Sequence, residues 1–201
     1  VDPCFLDIPS GNQLVRLYNP SRRNTTPLAF RSYGPLKRFD HHRGNGGERQ
    51  PDEDPERAVY YAAWSGDLAD ALASCIVEIF GDTGIVETEP WSIALPTLVR
   101  PLRLLDLRGH GAMRAGTVAA IAKCEHMHSQ PWSRYFYDTT SDFDTIDGLI
   151  YLNAHNDGDA LMLYERGRDA LRCDTGSVLR LDDPALRPLL LQIMRANNLV
   201  W

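Results

Sequence analysis

The stretch that most constrains the fold runs from Glu56 to Phe80, where the spacing of the hydrophobic residues changes from that of a strand to that of a helix. Residues 58–62 are apolar, aromatic and partly β-branched, which predicts a short buried strand. The polar residues 65–67 interrupt that pattern. Beyond them the apolar residues recur at steps of three and four, which predicts a helix from about Asp67 to Phe80 with one apolar face.

Glu78 is the polar residue of interest in this helix, because it lies near the end between Val77 and Ile79. A carboxylate in the last turn meets the negative end of the helix dipole, which costs a few tenths of a kcal/mol unless a partner offsets it. Two interpretations fit this position: a functional acid in an apolar setting, or a solvated glutamate on the polar face.

Composition limits the classes of protein to which the chain can belong. The 201 residues suit one domain, and 43% hydrophobic with 24% charged residues is typical of a globular protein. The net charge of −6 argues against direct nucleic-acid binding, and no apolar run reaches the roughly 18 residues of a membrane span. No secretory signal is evident, and the four cysteines are isolated, so we expect reduced thiols in a cytoplasmic protein.

The rest of the chain mixes strands and helices without βαβ repeats. This mixture predicts an α+β single domain, residues 1–201, with a partly antiparallel central sheet and flanking helices. Its core spans about residues 14–165, followed by a C-terminal strand and helix at 172–198. The predicted strands are 14–18, 91–95, 102–107, 149–152, 160–164 and 178–181. Besides the helix that begins near Asp67, helices are predicted at 113–123, from Pro131 onward, and at 184–197. Asp182 or Asp183 is the predicted cap of the last one. The polar segment 43–56 is predicted to be a flexible surface insertion.

Basic residues near the N-terminus suggest an anion site. Arg16 lies inside a predicted strand, where a guanidinium needs a partner. Arg31, Lys37 and Arg38 follow among aromatic residues, and the two arginines can present planar forks to a phosphate or a carboxylate. A solvated loop whose arginine stems cover the aromatic rings explains the same pattern.

A metal site is the third class of function that the sequence raises. Cys124, His126 and His128 alternate, so on an extended segment they share one face and can bind a metal. On a helix they do not share a face, and no fourth ligand is evident. We therefore expect no metal site here.

The order of these segments resembles the RES domain, the toxin of bacterial toxin–antitoxin pairs with Xre-like antitoxins. The resemblance spans about residues 14–165, and its most specific portions are KRFD (Lys37–Asp40), AVYYA (Ala58–Ala62) and SCIVEIF (Ser74–Phe80). It implies a fold similar to that of ADP-ribosyltransferase toxins. It also implies consumption of NAD as a substrate, with no bound cofactor.

The resemblance assigns roles to individual residues. Arg16 and Arg38 look like the family's NAD-contacting arginines, Tyr60 its aromatic strand residue, Glu78 its catalytic acid and Ser133 its site serine. The chain departs from the family where Tyr151-Leu152-Asn153 replaces a Tyr-Pro-Ser segment. Asn153 can still donate and accept hydrogen bonds there.

These residue types suit cleavage of the nicotinamide–ribose bond. The bond breaks through an oxocarbenium-like state, which a carboxylate near the ribose stabilises, while arginine forks bind the pyrophosphate. The expected function is therefore an NAD-degrading toxin that uses inorganic phosphate or water as acceptor and is neutralised by an Xre-like antitoxin. The alternatives are a mono-ADP-ribosyltransferase acting on a protein, or an inactive relative that only binds its partner.

Overall fold

The computed structural model describes residues 1–44 and 50–201. Its strands, in chain order, are β1 Phe5–Ile8, β2 Arg16–Tyr18, β3 Tyr33–Gly34, β4 Asp52–Glu53, β5 Val59–Ala62, β6 Ser92–Ala94, β7 Thr97–Leu98, β8 Leu102–Asp106, β9 Gly148–Leu152, β10 Asp159–Tyr164, β11 Leu171–Arg172 and β12 Val178–Arg180. Its helices are α1 Leu68–Phe80, α2 Gly111–Arg114, α3 His126–Asp138, α4 Thr140–Phe143 and α5 Arg187–Ala196.

A five-stranded central sheet has the order β1-β8-β9-β10-β5. Its neighbours pair antiparallel except β8 and β9, which are parallel. The α+β class with a partly antiparallel sheet is therefore confirmed. The sheet also includes β1, which precedes residue 14.

The two faces of the central sheet support different parts of the core. Successive residues of a strand point to opposite faces, so β5 divides its two tyrosines between them. Tyr60 is fully buried among aliphatic residues such as Leu14 and Leu163. Tyr61 packs on the other face, against a cluster that contains Phe39 and Tyr151. That second face carries the candidate site.

Helix α1 forms where the change of period predicts it. The Asp67 carboxylate accepts a hydrogen bond from the amide of Ala69 at 2.7 Å, which caps the first turn. The apolar stripe buries Leu72, Ile76 and Phe80, each of which stabilises the fold by about 1.5–3 kcal/mol. This stripe packs between β2 and the C-terminal helix α5, and leaves the opposite side of α1 open at Glu78.

A smaller three-stranded sheet, β12-β6-β2, lies beside α1 and α5. The predicted strands 14–18, 91–95 and 178–181 form it in slightly shortened form. The C-terminal helix begins as a 3-10 turn, Pro184–Leu186, in which Asp183 accepts a hydrogen bond from the amide of Ala185 at 2.9 Å. The predicted cap is thus confirmed.

Two helix predictions are wrong. Residues 113–123 do not form one helix, because Gly116 adopts a left-handed φ of 87° that separates α2 from the 3-10 turn Ala119–Ala122. The next helix does not start at Pro131 but at His126. Pro131 lies in the interior of this helix. It has no amide hydrogen to donate to the carbonyl of Met127, but Met127 is exposed.

The predicted insertion at residues 43–56 is described at both of its ends. Its residues 45–49 lie outside the described ranges. On either side of them, Arg43 forms a fork on Asp54 with nitrogen–oxygen distances of 2.8 and 2.5 Å, and β4 pairs with β3. The described flanks are therefore tied to the domain, which the polar composition did not predict.

Two further predictions concern the chain as a whole. All four cysteines are free thiols. Within the described ranges, none of the helices is long and apolar enough to cross a membrane.

Candidate functional site

A cleft opens between the end of α1 and the face of the central sheet. Its polar lining consists of Glu78 and Ser74 from α1, Tyr61 from β5 and Tyr151 from β9, with Cys75 at its base. The cleft has a volume of about 50 Å³. The structure thus brings the predicted catalytic acid together with two tyrosine side chains.

Glu78 carries a perturbed carboxyl group. Although the residue remains exposed, its carboxyl lies in a concave and largely apolar lining. Burial raises the pKa of Glu78 above its ordinary value, and the positive charges of Arg38, His155 and Lys37 offset this only in part. No ion pair or hydrogen bond of Glu78 is formed within the described ranges.

Arg38 lies on a loop whose backbone is fixed by α3. One terminal nitrogen of Arg38 donates a hydrogen bond to the carbonyl of Cys124. Four consecutive carbonyls of the loop, residues 36–39, are each contacted by one side chain of α3. The contacts are His126 to Leu36 at 3.1 Å, Gln130 to Lys37 at 3.0 Å, Ser129 to Arg38, and Ser133 to Phe39 at 2.7 Å. The guanidinium is therefore presented from a rigid backbone.

The same loop is held from its other side by Asp40. This carboxylate is fully buried and accepts hydrogen bonds from the amides of Leu36 and Lys37 at 2.5 and 2.8 Å. Arg31 donates to both its oxygens at 2.7 Å, and the Tyr61 hydroxyl donates at 2.8 Å. Burial alone raises the pKa of Asp40, but Arg31 and the two amides outweigh it and hold the pKa below its usual value.

Ser133, a predicted site serine, does not line the cleft. It is fully buried and lies on α3, where its hydroxyl donates to the carbonyl of Phe39 and approaches the Tyr164 hydroxyl at 3.3 Å. Its contribution to the site is to fix the residue next to Arg38.

Tyr151 faces the cleft from β9. Its ring packs on Phe39 with centroids 4.7 Å apart, and within the described ranges its hydroxyl has no hydrogen-bond partner. Burial, and then the charge of Glu78, raise the pKa of Tyr151 well above its ordinary value. The hydroxyl therefore stays protonated and can donate a hydrogen bond to a ligand.

Asn153 supports the cleft from behind. Its side-chain nitrogen donates to the Ser74 hydroxyl at 2.9 Å and to Asn156 at 2.8 Å. Its oxygen accepts from the amides of His155 and Asn156 at 2.9 and 3.0 Å. The residue is fully buried, so these bonds couple the β9–β10 turn to α1 one helical turn before Glu78.

We expect Asn153→Ala to lower the free energy of unfolding by about 2–3 kcal/mol, because it leaves the buried Ser74 hydroxyl and two turn amides without their partner. Urea denaturation measures this difference. Asn19→Ala, which removes a bond to the amide of Ser21 in an exposed turn, is the control and should change stability by less than about 0.5 kcal/mol. A loss at Asn153 no greater than in the control would contradict the supporting role.

Arg16 and Tyr60 are brought together, but away from the cleft. The Arg16 guanidinium lies 4.2 Å from the centroid of the Tyr60 ring, and the Tyr60 hydroxyl donates to the carbonyl of Pro27 at 2.9 Å. One terminal nitrogen of Arg16 is buried without a hydrogen-bond partner among the described residues. Neither residue lines the cleft around Glu78.

The fold is similar to that of a protein from a toxin–antitoxin complex. A chain of the crystal structure of the M. tuberculosis MbcT–MbcA toxin–antitoxin complex matches with a TM-score of 0.56 at 15% sequence identity, covering 94% of this chain and 92% of that chain. At this identity the match shows the fold. No family model and no curated protein matches the sequence.

The sequence interpretation missed Tyr61 and the supporting role of Asp40. Two adjacent tyrosines in a strand point to opposite faces, and only the pairing with β10 decides which one meets α1. Asp40 is part of the KRFD segment, but its partners lie on other elements. His155, whose charge acts on Glu78, carries no sequence signal.

The alternating Cys124, His126 and His128 do not share one extended face, because α3 begins at His126. Across residues 1–44 and 50–201, no three His, Cys, Asp or Glu side chains form a group that could hold a metal ion.

Proposed function

We propose that the chain is an NAD-consuming toxin of the RES type that cleaves the nicotinamide–ribose bond. The observation that carries the proposal is the Glu78 carboxylate in a cleft with Tyr61 and Tyr151, within reach of the positive charge of Arg38 on a fixed loop. The similarity of the whole fold to a chain of a toxin–antitoxin complex supports it.

Each of these groups has a task in the proposed reaction. The bond between ribose C1′ and the nicotinamide nitrogen breaks, and its electron pair leaves with nicotinamide, which becomes neutral. Positive charge develops on the ribose, where the Glu78 carboxylate stabilises it. The tyrosine rings offer stacking faces for nicotinamide, and Arg38 with Lys37 offers positive charge to the pyrophosphate. Phosphate or water then attacks C1′.

Arg38→Lys should weaken NAD binding almost as much as Arg38→Ala, by roughly 1–3 kcal/mol. The lysine keeps the charge but cannot hold the Cys124 carbonyl and a phosphate oxygen in one planar fork. Calorimetric titration of NAD into an inactive background measures the dissociation constant. Arg23→Lys, on the exposed surface, is the control. Equal affinity of the lysine variant and the wild type would contradict a bidentate contact.

The test of the proposed activity is the loss of NAD on mixing with purified protein, followed by separation of the products with and without inorganic phosphate. Release of ADP-ribose alone indicates hydrolysis, and ADP-ribose with a phosphate on the carbon that carried nicotinamide indicates phosphorolysis. Label from NAD on a protein acceptor indicates ADP-ribosyl transfer instead. No nicotinamide release under any of these conditions would reject the enzyme and favour a binding module.

The partner that we propose is an Xre-like antitoxin that blocks the cleft in the cytoplasm. An enzyme that destroys NAD would poison its own cell, so expression of this chain alone should arrest growth, and co-expression of the partner should relieve the arrest. Glu78→Gln should relieve it too. Harmless expression of an active, NAD-consuming protein would reject the toxin role while leaving the enzymatic role intact.

A further inference from the structure

The end of α1 lacks a positive charge of its own. Its last turn contains Glu78 and no basic residue, although the carbonyls at a helix C-terminus favour a cation and disfavour a carboxylate. Asp82, just beyond the helix, adds a second negative charge that raises the pKa of Glu78 further. An ionised Glu78 therefore needs positive charge from elsewhere in the fold.

His155 lies where that charge is missing. Its ring covers Gly81 so closely that a Cβ on this glycine would fall 2.5 Å from the ring Nδ1. Gly81 follows Glu78 by three residues and so shares its side of the helix. The other ring nitrogen of His155 lies 3.8 Å from a carboxylate oxygen of Asp82.

The turn that carries His155 is fixed independently of the ring. Asn153 accepts the hydrogen bond of the His155 amide, and Asn156 donates to Asn197 beyond α5 at 2.9 Å. Lys123 pairs with Asp157 of the same turn at 2.5 Å. The imidazole is thus held over the helix end by its own backbone and not by contact with a ligand.

We propose that His155 is a positioning residue for Glu78, whose imidazolium over Gly81 supplies the positive charge at the end of α1 and favours the ionised carboxylate. The other charged or titratable groups that interact with Glu78 are Arg38 and Lys37 from the loop, Asp82 beyond α1, Tyr151 from β9 and Cys75 from α1 itself. As far as turnover is concerned, this inference rests on the proposed function.

The test is a carboxyl ¹³C NMR titration of Glu78, assigned by the signal lost in Glu78→Gln, together with the pH profile of NAD consumption. His155→Gln should move the Glu78 midpoint up by about half a pH unit, because a positive charge that acts on Glu78 is removed from the helix end. On the acid limb, turnover should then fall roughly 3-fold. His155→Lys and His155→Arg should keep the wild-type midpoint or lower it, and His128→Gln, an exposed histidine on α3, should leave it unchanged.

An unchanged midpoint in His155→Gln would overturn the proposal. An equal upward shift in the glutamine, lysine and arginine variants would also overturn it, since it would show that the shape of the ring matters and its charge does not. If the midpoint shifts occur as expected but the protein consumes no NAD, the proposed function is rejected and the role of His155 is retained.

Discussion

Glu78→Gln is expected to reduce the rate of NAD consumption on the order of 10²-fold or more, with little change in NAD affinity. Glutamine keeps the size and hydrogen bonding of the side chain but removes the charge that opposes the developing ribose cation. Single-turnover kinetics at saturating NAD separate this effect from binding. Glu87→Gln, an exposed glutamate beyond α1, is the matched control and should retain full activity.

The same variant should be at least as stable as the wild type. The folded-state pKa of Glu78 lies above its unfolded value, so ionisation disfavours folding at neutral pH, and glutamine removes that cost. The difference should disappear as the pH falls below the pKa of an unfolded glutamate. Near wild-type turnover in well-folded Glu78→Gln would remove this residue from the mechanism.

Asp40→Ala should lower the free energy of unfolding by about 3–5 kcal/mol, because it leaves the partly buried Arg31 guanidinium and two loop amides without their common acceptor. A loss of this size is a large part of the 5–15 kcal/mol typical of a domain. Chemical denaturation measures it. Arg38 should also lose its fixed position, so any folded fraction should bind NAD weakly.

Asp7→Ala is the control for Asp40→Ala. Asp7 pairs with Arg103 at 3.3 Å on the exposed edge strand, where an ion pair contributes about 0–1 kcal/mol. The pKa of Asp40 is depressed, so its contribution is present above the unfolded pKa and is lost as the pH falls through the folded value. Equal stability losses in the two variants would contradict the role of Asp40 as the buried anchor.

The sequence predicts those parts of the site that depend on local periodicity. The strand at 58–62, the capped helix α1 and the placement of Glu78 near its end all follow from residue spacing. The choice between Tyr60 and Tyr61 does not, because the alternation of a strand does not say which face α1 covers. The helix predicted for 113–123 fails for another reason: one glycine in a left-handed conformation breaks a pattern that apolar spacing alone continues.

Long-range contacts explain why the rest of the site could not be predicted. Ser133 was predicted to contact NAD, yet its hydroxyl is satisfied by a carbonyl 94 positions earlier in the chain. Asn153 likewise bonds to Ser74, 79 positions away. Neither contact leaves a local pattern in the sequence, since each depends on the packing of separate elements.

Helix α3 holds the loop at residues 36–39 by its backbone carbonyls. The position of Arg38 therefore does not depend on which side chains stand beside it in the sequence. The four hydrogen bonds from α3 go to carbonyls of this loop, and the side chains of Leu36 and Lys37 are exposed. A substitution of Leu36 should therefore leave the arginine in place, whereas a change in one of the four α3 side chains that hold the loop should displace it. A site specified in this way depends on the packing of α3 more than on the local motif around the arginine.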